Sequence, residues 1–115
     1  MGEDFGMRVS VLASSSSGNA TYIETPGHKV LVDAGLSGKK IETLMQSIGR
    51  DLTDVDSVFI THEHSDHVRG VGVLARRYPK LSVYANAKTF AALPKSVGKI
   101  PEDQLRLFDM GATLT

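Results

Sequence analysis

Val58-Phe59-Ile60-Thr61-His62-Glu63-His64-Ser65-Asp66-His67 is the stretch on which the reading of this chain turns. The apolar, β-branched run 57–61 reads as a buried strand, and it delivers an H-x-H-x-D-H cluster at its C-terminal end. Three of the chain's 4 histidines fall inside that cluster. Imidazole nitrogen and carboxylate oxygen are the ligands that zinc and its neighbours prefer, and a segment this rich in them offers little to a hydrophobic core. In extended backbone, residues i and i+2 point to the same side, so His62 and His64 can grip one ion. Asp66 and His67 are consecutive, and a turn into a following helix can bring both to a second position. One segment then offers two ligands to each of two ions. Two-metal hydrolases hold their ions roughly 3.5–4 Å apart around an activated water. The bland alternative is four polar residues in a solvated loop. Two competing metal patterns do not fit. H-E-x-x-H fails because Asp66 stands where its second histidine belongs, and the deaminase pattern fails for want of any cysteine.

Upstream, Met7 to Ala13 alternates and then becomes apolar, and Ala20 to Thr25 and Val30 to Val32 follow after turn-rich loops. These read as three short strands in an antiparallel meander. Ser37 is a fitting helix N-cap, with Ile41, Leu44, Met45 and Ile48 at i, i+3, i+4, i+7 behind it and Gly49 as the stop. Leu52 to Asp56 is a polar connection with room for a helical turn. Downstream of the cluster, Gly70 to Tyr78 predicts a helix closed by Pro79. Ser82 to Ala85 predicts a strand, and Asn86 caps a short helix over 87–93. Residues 95–104 read as a linker, Leu105 to Phe108 as a strand, and 112 onward as the start of another after Gly111. The expected fold class is α/β (α+β), a mixed sheet with helices on one face. Residues 1–6 are expected to be a flexible tail and 7–115 one domain.

Composition narrows the classes. The chain has 115 residues, 41% apolar and 23% charged, with 13 Lys plus Arg against 13 Asp plus Glu. A neutral total supplies no bulk electrostatic footprint for nucleic acid or membrane. Without cysteine, any metal must be held by His, Asp, Glu or backbone oxygen. No apolar run approaches the ~20 residues of a membrane span, and the start lacks an apolar signal-peptide core. The expected location is cytoplasmic.

The H-x-H-x-D-H run after its strand resembles the signature of the metallo-β-lactamase superfamily, and Val32-Asp33-Ala34-Gly35 resembles that superfamily's earlier aspartate motif. The opening Ser10-Val-Leu-Ala-Ser-Ser-Ser-Ser-Gly-Asn-Ala-Thr-Tyr22 is similar to the start of its WalJ/YycJ group, regarded as metal-dependent 5′→3′ exonucleases. The resemblance covers residues 7 to about 109. It implies an αββα sandwich of two similar halves, of which this chain is expected to be the N-terminal one. It implies that His62 and His64 bind a first divalent ion (zinc, manganese or iron) and Asp66 and His67 a second. Asp66 would also orient the hydroxide shared by the metals, as the catalytic residue. Asp33 would support the histidine loop from behind. The superfamily completes its site with later histidines and a bridging Asp, and no histidine follows His67 here. The 115 residues alone are therefore expected to be a poor catalyst. The sheet face meant for the other half is expected to be apolar and open to self-association.

The functional expectation is a metal-dependent hydrolase, a phosphodiesterase or 5′→3′ DNA exonuclease using a metal-bound hydroxide, with DNA as partner. The alternatives are hydrolysis of a small-molecule ester, thioester, lactone or lactam, and a non-catalytic metal-binding fragment. Ser15, Ser16 and Asn19 in the small-residue loop, with Arg69 two residues past His67, are candidate substrate contacts. The bland alternatives are a plain hairpin loop for these small residues and a plain turn aspartate for Asp33.

Overall fold

The computed structural model describes residues 7–108. The tail at 1–6, the turn at Gly111 and the strand expected from 112 lie outside the described residues. Six strands form one sheet in sequential order: β1 (Arg8–Ser15), β2 (Gly18–Glu24), β3 (Lys29–Val32), β4 (Ser57–Phe59), β5 (Ser82–Ala85) and β6 (Leu105–Leu107). The first three pair antiparallel as the meander predicts, with a register shift in β1 between Val11 and Ala13. From β3 to β6 every pairing is parallel. Parallel neighbours need a crossover, and these are supplied by α1 (Gly38–Ser47), by α2 (Ser65–Val68) with α3 (Val71–Arg77), and by α4 (Ala87–Ala91).

The helix starts follow local chemistry. The Ser37 hydroxyl accepts from the Lys40 amide at 3.2 Å, and Asn86 Oδ1 accepts from Thr89 N at 2.7 Å. Each satisfies one of the amides that a helix start leaves unpaired. The last helix ends at Ala91, two residues before the predicted end. Pro94 explains this, because the residue before a proline is pushed out of helical backbone. The expected linker 95–104 contains two single 3₁₀ turns, Lys95–Val97 and Glu102–Gln104. Gln104 is buried in the second. Its amide donates to the carbonyls of Ala75 at 2.8 Å, Tyr78 at 3.1 Å and Leu81 at 2.8 Å. One side chain thus satisfies carbonyls at the end of α3 and at the approach to β5.

The core lies on the helix side. Tyr22, Leu31, Val58 and Val83 are register partners in a row across β2 to β5, and each is 0% exposed. Ile41 and Met45 of α1 and Val71, Leu74 and Ala75 of α3 close over the same cluster. Burial of a Val, Leu, Ile or Met side chain contributes about 1.5–3 kcal/mol. The other sheet face is also apolar, and little within the described residues covers it. Val11, Thr21, Val32, Phe59 and Tyr84 run across it in register, with Val9, Ile23 and Val30 in the next row. Val9 is 51% and Val11 62% exposed. Phe59 and Tyr84 stack there with ring centroids 4.6 Å apart. Strands apolar on both faces belong to sheets covered on both.

Candidate metal centre

The site begins where β3 stops. Asp33 has φ 67°, the one non-glycine residue in the left-handed region among the described residues. Aspartate enters that region more readily than most residues, at a cost on the order of 1–3 kcal/mol that only a constraining environment maintains. The turn ends β3, and of the strand expected over 57–61 the register pairing runs through Phe59, with the Ile60 amide still donating to the Tyr84 carbonyl of β5 at 2.8 Å. The turn also swings the Asp33 carboxylate across the end of β4. Oδ1 accepts from the Thr61 amide at 2.8 Å. Oδ2 accepts from the Thr61 hydroxyl at 2.6 Å and meets His67 Nδ1 at 2.7 Å. The side chains of Asp33 and His67 are 8% and 20% exposed.

These bonds set the histidine protons. An ionised carboxylate only accepts, so His67 Nδ1 is the donor, and in the neutral ring the lone pair then lies on Nε2. The Thr61 hydroxyl already donates its hydrogen to Asp33 Oδ2. It therefore accepts from His62 Nδ1, 2.9 Å away, and His62 likewise presents Nε2. A histidine whose far nitrogen is held by a carboxylate, with the near one bare, is the arrangement found behind metal-binding imidazoles. Thr61 is a site residue that sequence reading passed over. The available signal was a hydroxyl at the last position of an apolar strand, next to the first histidine.

The cluster itself straddles β4 and α2. His62 and His64 leave the strand in irregular backbone, and Asp66 and His67 lie in the first turn of α2. The rings of His62 and His67 have centroids 4.7 Å apart, and those of His62 and His64 6.1 Å apart and nearly parallel. His67 Nε2 stands 3.6 Å from Asp66 Oδ2. Two donors bound at 2.0–2.2 Å to one tetrahedral ion lie about 3.4 Å apart, so this pair fits a shared divalent ion with little movement. His64 is 68% exposed, with Glu63 Oε2 at 3.8 Å from its Nε2. Among the described residues, no three His, Asp or Glu side chains close on a single position. The nitrogen and oxygen donors fit zinc, manganese or iron chemistry, but as an open half-shell.

The four candidate substrate residues divide. Ser15 and Ser16 are exposed on the β1–β2 hairpin, and Arg69 is exposed after α2. Asn19 turns its amide inward, to the Ser15 carbonyl at 2.9 Å, the Asp66 carbonyl at 3.1 Å and Asp66 Oδ2 at 3.2 Å. A second held carboxylate, Glu24 of β2, lies away from this cluster. Glu24 accepts from Arg50 Nε at 2.7 Å and from the Tyr22 hydroxyl at 2.8 Å. Arg50 first and Tyr22 second hold the Glu24 carboxyl below its usual range. Burial, then the bond to Glu24, pushes Tyr22 up to about 12.

Comparison with known proteins agrees with this construction. The sequence pattern of the metallo-beta-lactamase superfamily matches residues 15–110. The chain is 53% identical over 114 residues to exodeoxyribonuclease WalJ of Streptococcus pneumoniae serotype 2 (strain D39 / NCTC 7466), covering 97% of this chain and 42% of that protein. It is 50% identical over 110 residues to exodeoxyribonuclease YycJ of Bacillus anthracis, covering 96% and 41%. The chain thus spans less than half the length of the curated relatives it matches. The fold of Rm3 metallo-beta-lactamase superposes with a TM-score of 0.72 at 24% identity, covering 93% of this chain and 44% of that one. On the strength of the histidine cluster, its buried aspartate and these matches, the chain belongs to the metallo-β-lactamase superfamily.

Proposed function

We propose that residues 7–115 form the N-terminal half of a two-metal hydrolase acting on DNA phosphodiester bonds from the 5′ end. The observation that carries the metal reading is the Asp33–His67 bond, which leaves His67 Nε2 bare and 3.6 Å from Asp66 Oδ2. The identity to two exodeoxyribonucleases supports DNA as the substrate. His62 and His64 would hold one divalent ion, and Asp66 and His67 the other. Such ions supply Lewis acidity toward a phosphoryl oxygen and lower the pKa of an attacking water. Asp33 fixes His67 directly, and His62 through the Thr61 hydroxyl. Asp66 offers Oδ1, which takes no hydrogen bond among the described residues, to orient the attacking water and receive its proton. Ser15, Ser16 and Arg69 are exposed and keep the role of substrate contacts.

The test uses the chain continued to the full length of its relatives, with 5′-phosphorylated duplex DNA and manganese. Mononucleotide release from the 5′ end, abolished by a chelator and by His64→Ala, is the expected result. A thioester, lactone or lactam cleaved in place of DNA overturns the substrate. Full metal content with no hydrolysis of any of these leaves a binding module. The 115-residue chain alone, holding two ligands per ion, should turn over poorly; robust hydrolysis by it would contradict the half-site reading.

A further inference from the structure

We infer that Asn19 is a positioning residue for Asp66, so that the Gly18-Asn19 step of the hairpin serves the candidate metal ligand and not the substrate phosphate. The inference rests on Asp66 being a ligand, as proposed above.

Three acceptors surround one atom of the Asn19 side chain: Ser15 O at 2.9 Å, Asp66 O at 3.1 Å and Asp66 Oδ2 at 3.2 Å. Only a nitrogen can face three oxygens, which settles the amide's orientation. Two contacts reach 47 residues along the chain, to the backbone and the carboxylate of one residue. The carboxylate oxygen chosen is the one facing His67 Nε2. Asn19 therefore braces the ligand oxygen and the first turn of α2 at once.

The neighbouring glycines make this approach possible. A Cβ on Gly35 would run into the Asp66 carbonyl and crowd the Asn19 backbone nitrogen at 2.7 Å. A Cβ on Gly18 would collide with the Leu36 side chain. The Gly35 amide donates to the Asn19 carbonyl at 2.9 Å, and the Ala34 amide to the His67 carbonyl at 2.8 Å. Gly18-Asn19 and Ala34-Gly35 thus form one support under residues 66 and 67. The sequence places them in separate motifs.

Ligating carboxylates are themselves hydrogen-bonded, and loss of such a partner lowers metal affinity about 10–100-fold. The experiment titrates the chelator-treated protein, at its relatives' full length, with cobalt. Calorimetry and visible absorption follow wild type, Asn19→Ala and Asn19→Asp. Wild type should take up two ions. Asn19→Ala should weaken one of them by about 10–100-fold and alter that ion's absorption band, leaving the other ion unchanged. Asn19→Asp has the same shape, no donor and a second carboxylate, and should be affected at least as strongly. At saturating metal, KM for 5′-phosphorylated duplex DNA should stay at the wild-type value. Two unchanged cobalt affinities with a raised KM would make Asn19 a substrate contact and overturn the inference alone. Equal weakening of both ions, with a lowered Tm, would reduce it to a fold residue. If Asn19→Ala does not fold, the Asp variant carries the comparison. Wild type taking up no metal would remove the inference and the metal reading together.

Discussion

Replacing Asp33 by asparagine separates what the carboxylate does for the fold from what it does for His67. Asparagine has the same shape and tolerates the left-handed backbone at this position. Its carbonyl can keep the bond from the Thr61 amide. Its NH₂ stands where Oδ2 accepts from the Thr61 hydroxyl at 2.6 Å and from His67 Nδ1 at 2.7 Å. Those two charge-assisted bonds are each worth about 1.5–3 kcal/mol, against about 0.5–1.5 kcal/mol for neutral replacements. The hydroxyl can rotate to accept, and the imidazole can move its proton to Nε2 and accept on Nδ1. The net loss is about 2–3 kcal/mol, which a domain of ordinary stability survives. The moved proton is the larger consequence, because it sits on the nitrogen that faces Asp66. The ion at Asp66 and His67 should weaken about 10–100-fold. Urea unfolding of the chelator-treated protein reads the first quantity, and zinc titration by calorimetry reads the second. An asparagine variant that binds zinc as tightly as wild type would refute the tautomer argument, whatever its stability.

Three further expectations follow from the same geometry. Gln104→Ala leaves the Ala75, Tyr78 and Leu81 carbonyls without their shared donor and should cost about 2–4 kcal/mol in denaturant unfolding; a loss below 0.5 kcal/mol, roughly the scale of ordinary surface substitutions, would show that water replaces the amide. Glu24 has its folded pKa depressed by Arg50 and Tyr22, so its stabilisation is complete above the unfolded value of about 4.3 and is lost as pH falls through the lower folded value. Tm measured from pH 6 to 3 should therefore fall less steeply for Glu24→Gln than for wild type, and identical slopes would contradict the assignment. The 115-residue chain should self-associate with concentration in sedimentation velocity, and Phe59→Glu on the open sheet face should reduce this; a strictly monomeric wild-type chain would count against that face as the cause.

Much of the site was legible because its chemistry is contiguous. His62 to His67 lie in one segment, and Ser37 and Asn86 cap helices within three residues of themselves. Asp33 is expected as a support of the histidine loop only through the family resemblance, and its partners, Thr61 and His67, emerge only with its left-handed backbone. Thr61 gains its role only from a carboxylate 28 residues earlier. Gln104 sat in an expected linker, and its three acceptors lie 23 to 29 residues upstream. The small-residue loop offers candidate substrate contacts because backbone amides in such loops approach anions, with a plain hairpin turn as the alternative. The inward turn of Asn19 depends on where α2 lands. Local patterns write local structure, and these four residues act across the chain.

The second apolar face of the sheet has a calorimetric consequence. Whatever layer comes to lie on Val9, Val11, Ile23, Val30, Phe59 and Tyr84 removes them from water, and transfer of apolar surface lowers the heat capacity of the assembled state. Docking of that layer should thus carry a negative heat-capacity change, with an enthalpy that grows more favourable on warming. The candidate metal donors stand at the rim of this same sheet, at the ends of β3 and β4. A temperature series of metal titrations would then report the closing of the sandwich as well as the binding of the ions.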